Sequence, residues 1–146
     1  MNKSTGEIEL NGISFGNDTS IDEVLGSSKF QSHINKDGLI CISRAKQVAV
    51  DGYTFNIKIV FKNKRLDKIE LDPVNLEMKD PGYPDEKYQE EKKKVADSYL
   101  RENLGDPPDE SEAVLYYEFD WGSVASVAFL SGRNEYTGGF IVISYK

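Results

Sequence analysis

Tyr53-Thr54-Phe55-Asn56-Ile57-Lys58-Ile59-Val60-Phe61 is the stretch that decides the fold. Tyr53, Phe55, Ile57, Ile59 and Phe61 recur at every second position, with Thr54, Asn56, Lys58, Val60 and Lys62 between them. Side chains alternate across a strand, so this period of two predicts a half-buried antiparallel strand. Asp51-Gly52 just before it is a two-residue hairpin signal that joins it to Val48 and Val50. Asn63-Lys64-Arg65 makes a second turn, after which Leu66, Ile69 and Leu71 begin another strand. Pro73 ends that strand, because proline cannot donate to a ladder. Upstream, Leu39, Cys41 and Ser43 form a further alternating set.

Working outward toward the N-terminus, Ile8, Leu10, Ile13 and Phe15 predict one short strand kinked at Gly12, with Asn11-Gly12 as a turn or bulge signal. Ser20 and Glu23 are spaced as a capping box, and Ile21, Val24 and Leu25 share one helical face before Gly26. This predicts a short helix that must pack on something else, since so few turns are unstable alone. Residues 72–84 hold three prolines and a glycine and read as a loop.

A long helix is expected from Asp85 to Leu104. Tyr88, Val95, Ala96, Tyr99, Leu100 and Leu104 form its apolar stripe, and Gly105 closes it. Asp106-Pro107-Pro108-Asp109 is a stiff linker. Three strands follow, over 114–121, 123–130 and 140–145, with 132–137 as a polar hairpin tip. Strands grouped in runs, with few alternating βα units, predict a single α+β domain spanning 1–146. Its antiparallel sheet carries one long and one short helix on one face.

Composition excludes several classes. The 146 residues suffice for a core without metal or disulfide staples, and the single Cys41 permits no internal disulfide. Cys41 lies in the apolar run Leu39–Ile42 and reads as a small buried hydrophobe. No apolar stretch suits a signal peptide or a bilayer span, so the expectation is a cytoplasmic chain without a membrane partner. One histidine, His33, beside polar loop residues reads as a surface or cap position, and with one Cys it leaves a transition-metal site short of ligands. Phosphate-cradling glycine loops, nucleophile motifs and calcium-loop spacing are all missing. No cofactor and no enzymatic activity are expected.

Charge is unevenly placed, which suits a solvated helix face first and a basic protein partner second. Residues 72–120 carry fifteen acids and six bases, a local net of −9, against +1 for residues 1–71 and +1 for the remainder. Such a segment repels nucleic acid and attracts basic surfaces; it also suits a solvated helix face. Glu110, Glu112, Glu118 and Asp120 are the acidic contact candidates. Glu118 and Asp120, two apart, could also share a strand face as paired carboxylates. Trp121 and Tyr136 are the aromatic candidates; Trp121 reads as core more readily than as a contact, and Tyr136, at an exposed hairpin tip, is the better contact candidate of the two.

Together, the segments GISFG, SIDEVLG, YTFNIKIVFKNKRLDKIEL, YYEFDWGSVASVAF and FIVISYK give an architecture that resembles the small α+β immunity proteins encoded beside bacterial secreted toxins. The same strand pattern is also similar to β-lactamase inhibitor proteins. The resemblance covers most of the chain by size and element order, and it carries over no site residues. It implies an acidic cytosolic bacterial protein that neutralises a basic toxin by tight binding, with 72–120 facing the toxin. Two further readings stay open: a small-ligand or regulatory domain with an apolar pocket lined by Tyr53, Phe55 and Tyr99, and an enzyme acting through carboxylates and tyrosines. The chain is expected as a monomer, or as a homodimer joined through the edge of the final strand, Phe140 to Tyr145.

Overall fold

The computed structural model describes residues 1–27, 30–34, 40–43, 47–74, 76–77, 79–82, 85–111, 113–130 and 136–146; side chains at 31–34, 41–43, 129–130 and 136–138 lie outside that description. The decisive alternation forms the longest hairpin, β6 (Tyr53–Lys62) with β7 (Arg65–Pro73). β6 is entered through Asp51-Gly52 (φ 50° and 85°) from β5 (Val48–Val50) and left through Asn63-Lys64 (φ 52° and 67°). Both are two-residue turns with paired positive φ, the geometry whose twist matches the flanking strands. Phe55, Ile57, Ile59 and Phe61 are buried, as the period of two requires. Leu66 and Ile69 are also both buried although three residues apart. The register shifts there, from Val60 opposite Lys68 to Phe61 opposite Leu66, so Asp67 is an extra residue that returns Leu66 to the core side. Val60, expected among the polar set, is buried between β7 and β4 (Ile40–Ser43).

Among the described residues nine strands form one antiparallel sheet. Its order is β3 (Gln31–Ile34), β4, β6, β7, β11 (Tyr136–Tyr145), β10 (Gly122–Leu130), β9 (Val114–Phe119) and β8 (Asp109–Glu110), with β5 also on β6. Three expectations change here. The final strand is central, paired with β7 on one side and β10 on the other, so it offers no free edge for a second copy. It also starts earlier than expected: Tyr136 and Thr137 already pair with Leu130 and Phe129, so Tyr136 belongs to the ladder and not to the tip. The segment around His33 is a strand, with His33 opposite Cys41. Among the described residues the outer strands are β3, β8 and β5, which pairs only with β6. β8 is only two acidic residues after Pro107-Pro108, a form that resists pairing with another chain.

The single kinked strand expected near the N-terminus is a separate hairpin, β1 (Ile8–Leu10) and β2 (Ile13–Phe15). Asn11 and Gly12 (φ 56° and 73°) form its turn. α1 (Ile21–Gly26) follows, with the Ser20 hydroxyl accepting from the Glu23 N–H at 3.3 Å. Ile21 and Val24 are buried, but Leu25 is 42% exposed and drops out of the expected apolar face, because a helix this short seats only two of the three against the core.

α2 (Glu86–Leu104) is capped by Asp85, which accepts from the Tyr88 N–H at 2.9 Å, and ends at Gly105 (φ 82°). Ala96, Tyr99, Leu100 and Leu104 enter the core together with Ile8, Leu10, Phe15, Ile21 and Val24, so helices and hairpin all cover one face of the sheet. α2 crosses β11 at Gly139, where an added Cβ would stand 2.5 Å from the Lys93 backbone nitrogen. Tyr88 and Val95 of the expected stripe are only half-buried, and Lys93 is buried instead. Among the described residues no helix is long and apolar enough to cross a membrane.

Candidate functional site

Trp121 is an interior residue, which corrects its reading as a contact anchor. It sits with Asp120 in the two-residue turn between Phe119 and Gly122, and its indole folds back onto the core, 7% exposed. The ring stacks on Phe119 at 5.0 Å and leans on Tyr145 at 5.8 Å. Its Nε1–H donates to the Lys3 carbonyl at 3.0 Å. The chain passes directly beneath at Gly6 (φ 72°), where any side chain would collide with the indole. Tyr145 completes the lock by donating its hydroxyl to the Gly6 carbonyl at 3.0 Å.

The acidic candidates do not form one patch. Glu110 pairs opposite Leu115 and so turns toward α2, where Arg101 Nη2 holds it at 2.7 Å. Arg101 Nη1 also reaches Asp106 at 3.3 Å. Glu118 projects to the opposite side of the sheet. There it accepts from the Tyr116 hydroxyl and meets Lys146 Nζ at 3.2 Å. The Tyr116 hydroxyl first, and Lys146 second, hold its carboxyl below the usual carboxylate range. Asp120 is exposed in the turn, not on the strand face with Glu118. An exposed, readily ionised carboxylate with its neighbour turned away lacks the raised pKa that a general acid needs. Glu112 and the Tyr136 side chain lie outside the described residues.

α2 turns Lys92 and Lys93 inward and leaves Lys87 and Lys94 exposed. Lys93 is buried and pairs with Asp97 at 2.6 Å, and Asp97 also accepts from the Ser126 hydroxyl of β10. Lys92, its ammonium also largely buried, pairs with Asp72. With Arg101 engaged as well, half of the bases in 72–120 serve internal pairs. Glu86, Glu90, Glu102, Asp106, Asp109 and Glu110 remain exposed on or beside the helix.

Comparison with known proteins finds no family model, no curated protein and no solved structure that matches this chain. The site must therefore be read from its own chemistry.

The space expected to hold an apolar ligand is filled by rings. Tyr99 meets Tyr53 and Phe55 edge-on at 5.3 and 5.2 Å, and Tyr99 and Phe55 are fully buried. Burial, and then Asp51, which accepts from its hydroxyl at 3.1 Å, push the Tyr99 phenol far above its ordinary range. A groove of about 710 Å³ does exist nearby. It is an open channel on the outer flank of α2, lined mainly by Lys87, Glu90, Glu91 and Lys94 beside Tyr53 and Val95. Its charged rim and its place outside the core distinguish it from the enclosed apolar pocket expected around Phe55 and Tyr99.

The sheet face away from the helices was not anticipated. Its β9, β10 and β11 positions are Val114 and Tyr116, Ala125 and Val127, and Phe140 and Val142, all half-buried. The signal was present in the sequence. Phe140-Ile141-Val142-Ile143 and Val124-Ala125-Ser126-Val127-Ala128 are largely apolar at odd and even positions alike, the mark of strands with two apolar faces.

Proposed function

We propose that this chain is a protein-binding module of the immunity or inhibitor type, which neutralises a basic partner in the bacterial cytoplasm. The partner would dock on the acidic side formed by α2 and the segment leading into β9. The observation that carries this reading is that Lys92 and Lys93 are drawn into pairs with Asp72 and Asp97, while Glu86, Glu90, Glu102, Asp106, Asp109 and Glu110 stay exposed on or beside α2 against the exposed Lys87 and Lys94. Such a surface speeds the approach of a basic protein and disfavours nucleic acid. Glu110 belongs to this side; Glu118 does not.

The test uses basic proteins encoded by neighbouring genes as candidate partners. Association rates are measured at low and at moderate salt for the native chain and for Glu90→Lys/Glu102→Lys/Asp106→Lys. The expected result is a 1:1 complex whose association rate falls about tenfold or more in the variant and falls with salt. A complex indifferent to both would remove the electrostatic docking, and absence of any complex would remove the immunity reading.

A further inference from the structure

We propose that the open face of the sheet is a homodimer interface: two copies pack open face to open face about a two-fold axis that runs parallel to the strands, between β10 and β11. The proposal concerns the side away from α2 and goes beyond the reading above without depending on it.

The register of the ladder carries the argument. Read across the open face, one row runs Asp109, Tyr116, Ala125, Val142, Glu70, Lys58. The next runs Glu118, Ser123, Ser144, Lys68 and ends at Val60, which is already buried within the chain and takes no part in the contact. A third contributes Val114, Val127 and Phe140. A two-fold axis parallel to the strands lays each row on its own reversal. Lys58 then faces Asp109, Lys68 faces Glu118, Glu70 faces the Tyr116 phenol, Ser144 faces Ser123, Val142 faces Ala125 and Phe140 faces Val127. Apolar side chains meet at the axis, and opposite charges meet at both flanks. At one corner Val114 approaches Asp72, whose carboxylate Lys92 already holds. An isologous interface requires this kind of self-complementarity.

The charge is also unbalanced in the sense the pairing needs. Glu70 serves both Lys68 at 2.8 Å and Lys58 at 3.2 Å, so that flank keeps one positive charge in excess. On the other flank Lys146 is the base beside Glu118, and Asp109 is exposed, which leaves one negative charge in excess. Packed sheets cross at roughly 30°, which displaces groups about 12 Å from the axis by about 6 Å, within reach of a lysine side chain. The strip from β6 to β8 is about 24 Å wide and three rows deep, or about 1,000 Å² for the two copies together. That is the lower limit for a specific interface, so the dimer is weak, with a Kd on the order of 10–100 µM.

Sedimentation velocity of the full chain across this concentration range tests the proposal. The expected result is a concentration-dependent rise from 16.4 kDa toward twice that mass. Lys58→Glu/Lys68→Glu gives one copy two acidic flanks, and Asp109→Lys/Glu118→Lys gives the other two basic flanks. Each alone raises the dimer Kd about tenfold or more, and mixing the two restores a 1:1 heterodimer. Ala125→Arg at the axis, checked for its fold by circular dichroism, abolishes association independently. A chain that stays monomeric throughout overturns the proposal. So does a dimer that survives Ala125→Arg, or charge variants that fail to pair on mixing, either of which would assign the face to another partner or to solvent.

Discussion

The ammonium of Lys93 lies 2.6 Å from the carboxylate of Asp97, one helical turn away, and the Ser126 hydroxyl of β10 donates to that carboxylate from the sheet. A pair so placed is costly to break from one side only. Asp97→Ala would leave a buried ammonium without its counter-charge, and we expect a loss of about 3–5 kcal/mol in urea unfolding. Lys93→Met/Asp97→Leu, which removes both charges, is expected within about 2 kcal/mol of the native chain. If Asp97→Ala proved no worse than the double variant, the pair would not be buried as described.

Gly139 is the point at which α2 touches β11, with the Lys93 nitrogen 2.5 Å from where a Cβ would be. Gly139→Ala is expected to lift that turn of the helix and cost about 1–3 kcal/mol, the usual range for overpacking. Thermal unfolding followed by far-UV circular dichroism measures it. An unchanged Tm would contradict the close approach.

Trp121 is the only tryptophan, and residues 3–6 form its cover. Its fluorescence should be blue-shifted in the native chain and move to the red on deletion of residues 1–6, which removes the Lys3 carbonyl and the Gly6 floor. Trp121→Ala is expected to cost about 3–5 kcal/mol through lost packing. Red-shifted emission from the intact chain would return Trp121 to the surface.

Glu70 couples stability to pH. Burial raises its pKa, but the ammonium groups of Lys68 and Lys58 together outweigh that effect and hold it below the usual carboxylate range. A carboxyl depressed on folding contributes stability that is fully present above its unfolded pKa and is lost as pH falls through the folded one. Between about pH 5 and pH 3 the native Tm should therefore fall more steeply than that of Glu70→Gln. Parallel curves would show that the pairs add nothing to stability.

How much of this was legible varies with sequence distance. Period-two alternation at Tyr53–Phe61 and the turn pairs at 51–52 and 63–64 act between neighbours, so they read directly from the chain. β3 was hidden because Gln31-Ser32-His33 looks polar, and its strand state depends on Ser43, Ile42 and Cys41 across the ladder. Trp121 was ambiguous because its cover comes from residues 3–6, more than a hundred positions away. The opposite directions of Glu110 and Glu118 follow from the two-residue pairing of β8 with β9, for which no local pattern exists. Lys93 was indistinguishable from Lys92 and Lys94 until the docking of α2 picked it out.

The central position of β11 has a consequence for biosynthesis. Ribosomes deliver β3 to β7 as one sheet fragment and β8 to β10 as another, and these fragments share no ladder with each other. They join only when β11 emerges to bridge β7 and β10, more than sixty residues after β7 has been made. Throughout that interval the nascent chain shows the bare margin of β7, joined near its end by that of β10, so folding is expected to wait for late translation and to benefit from chaperone shielding meanwhile.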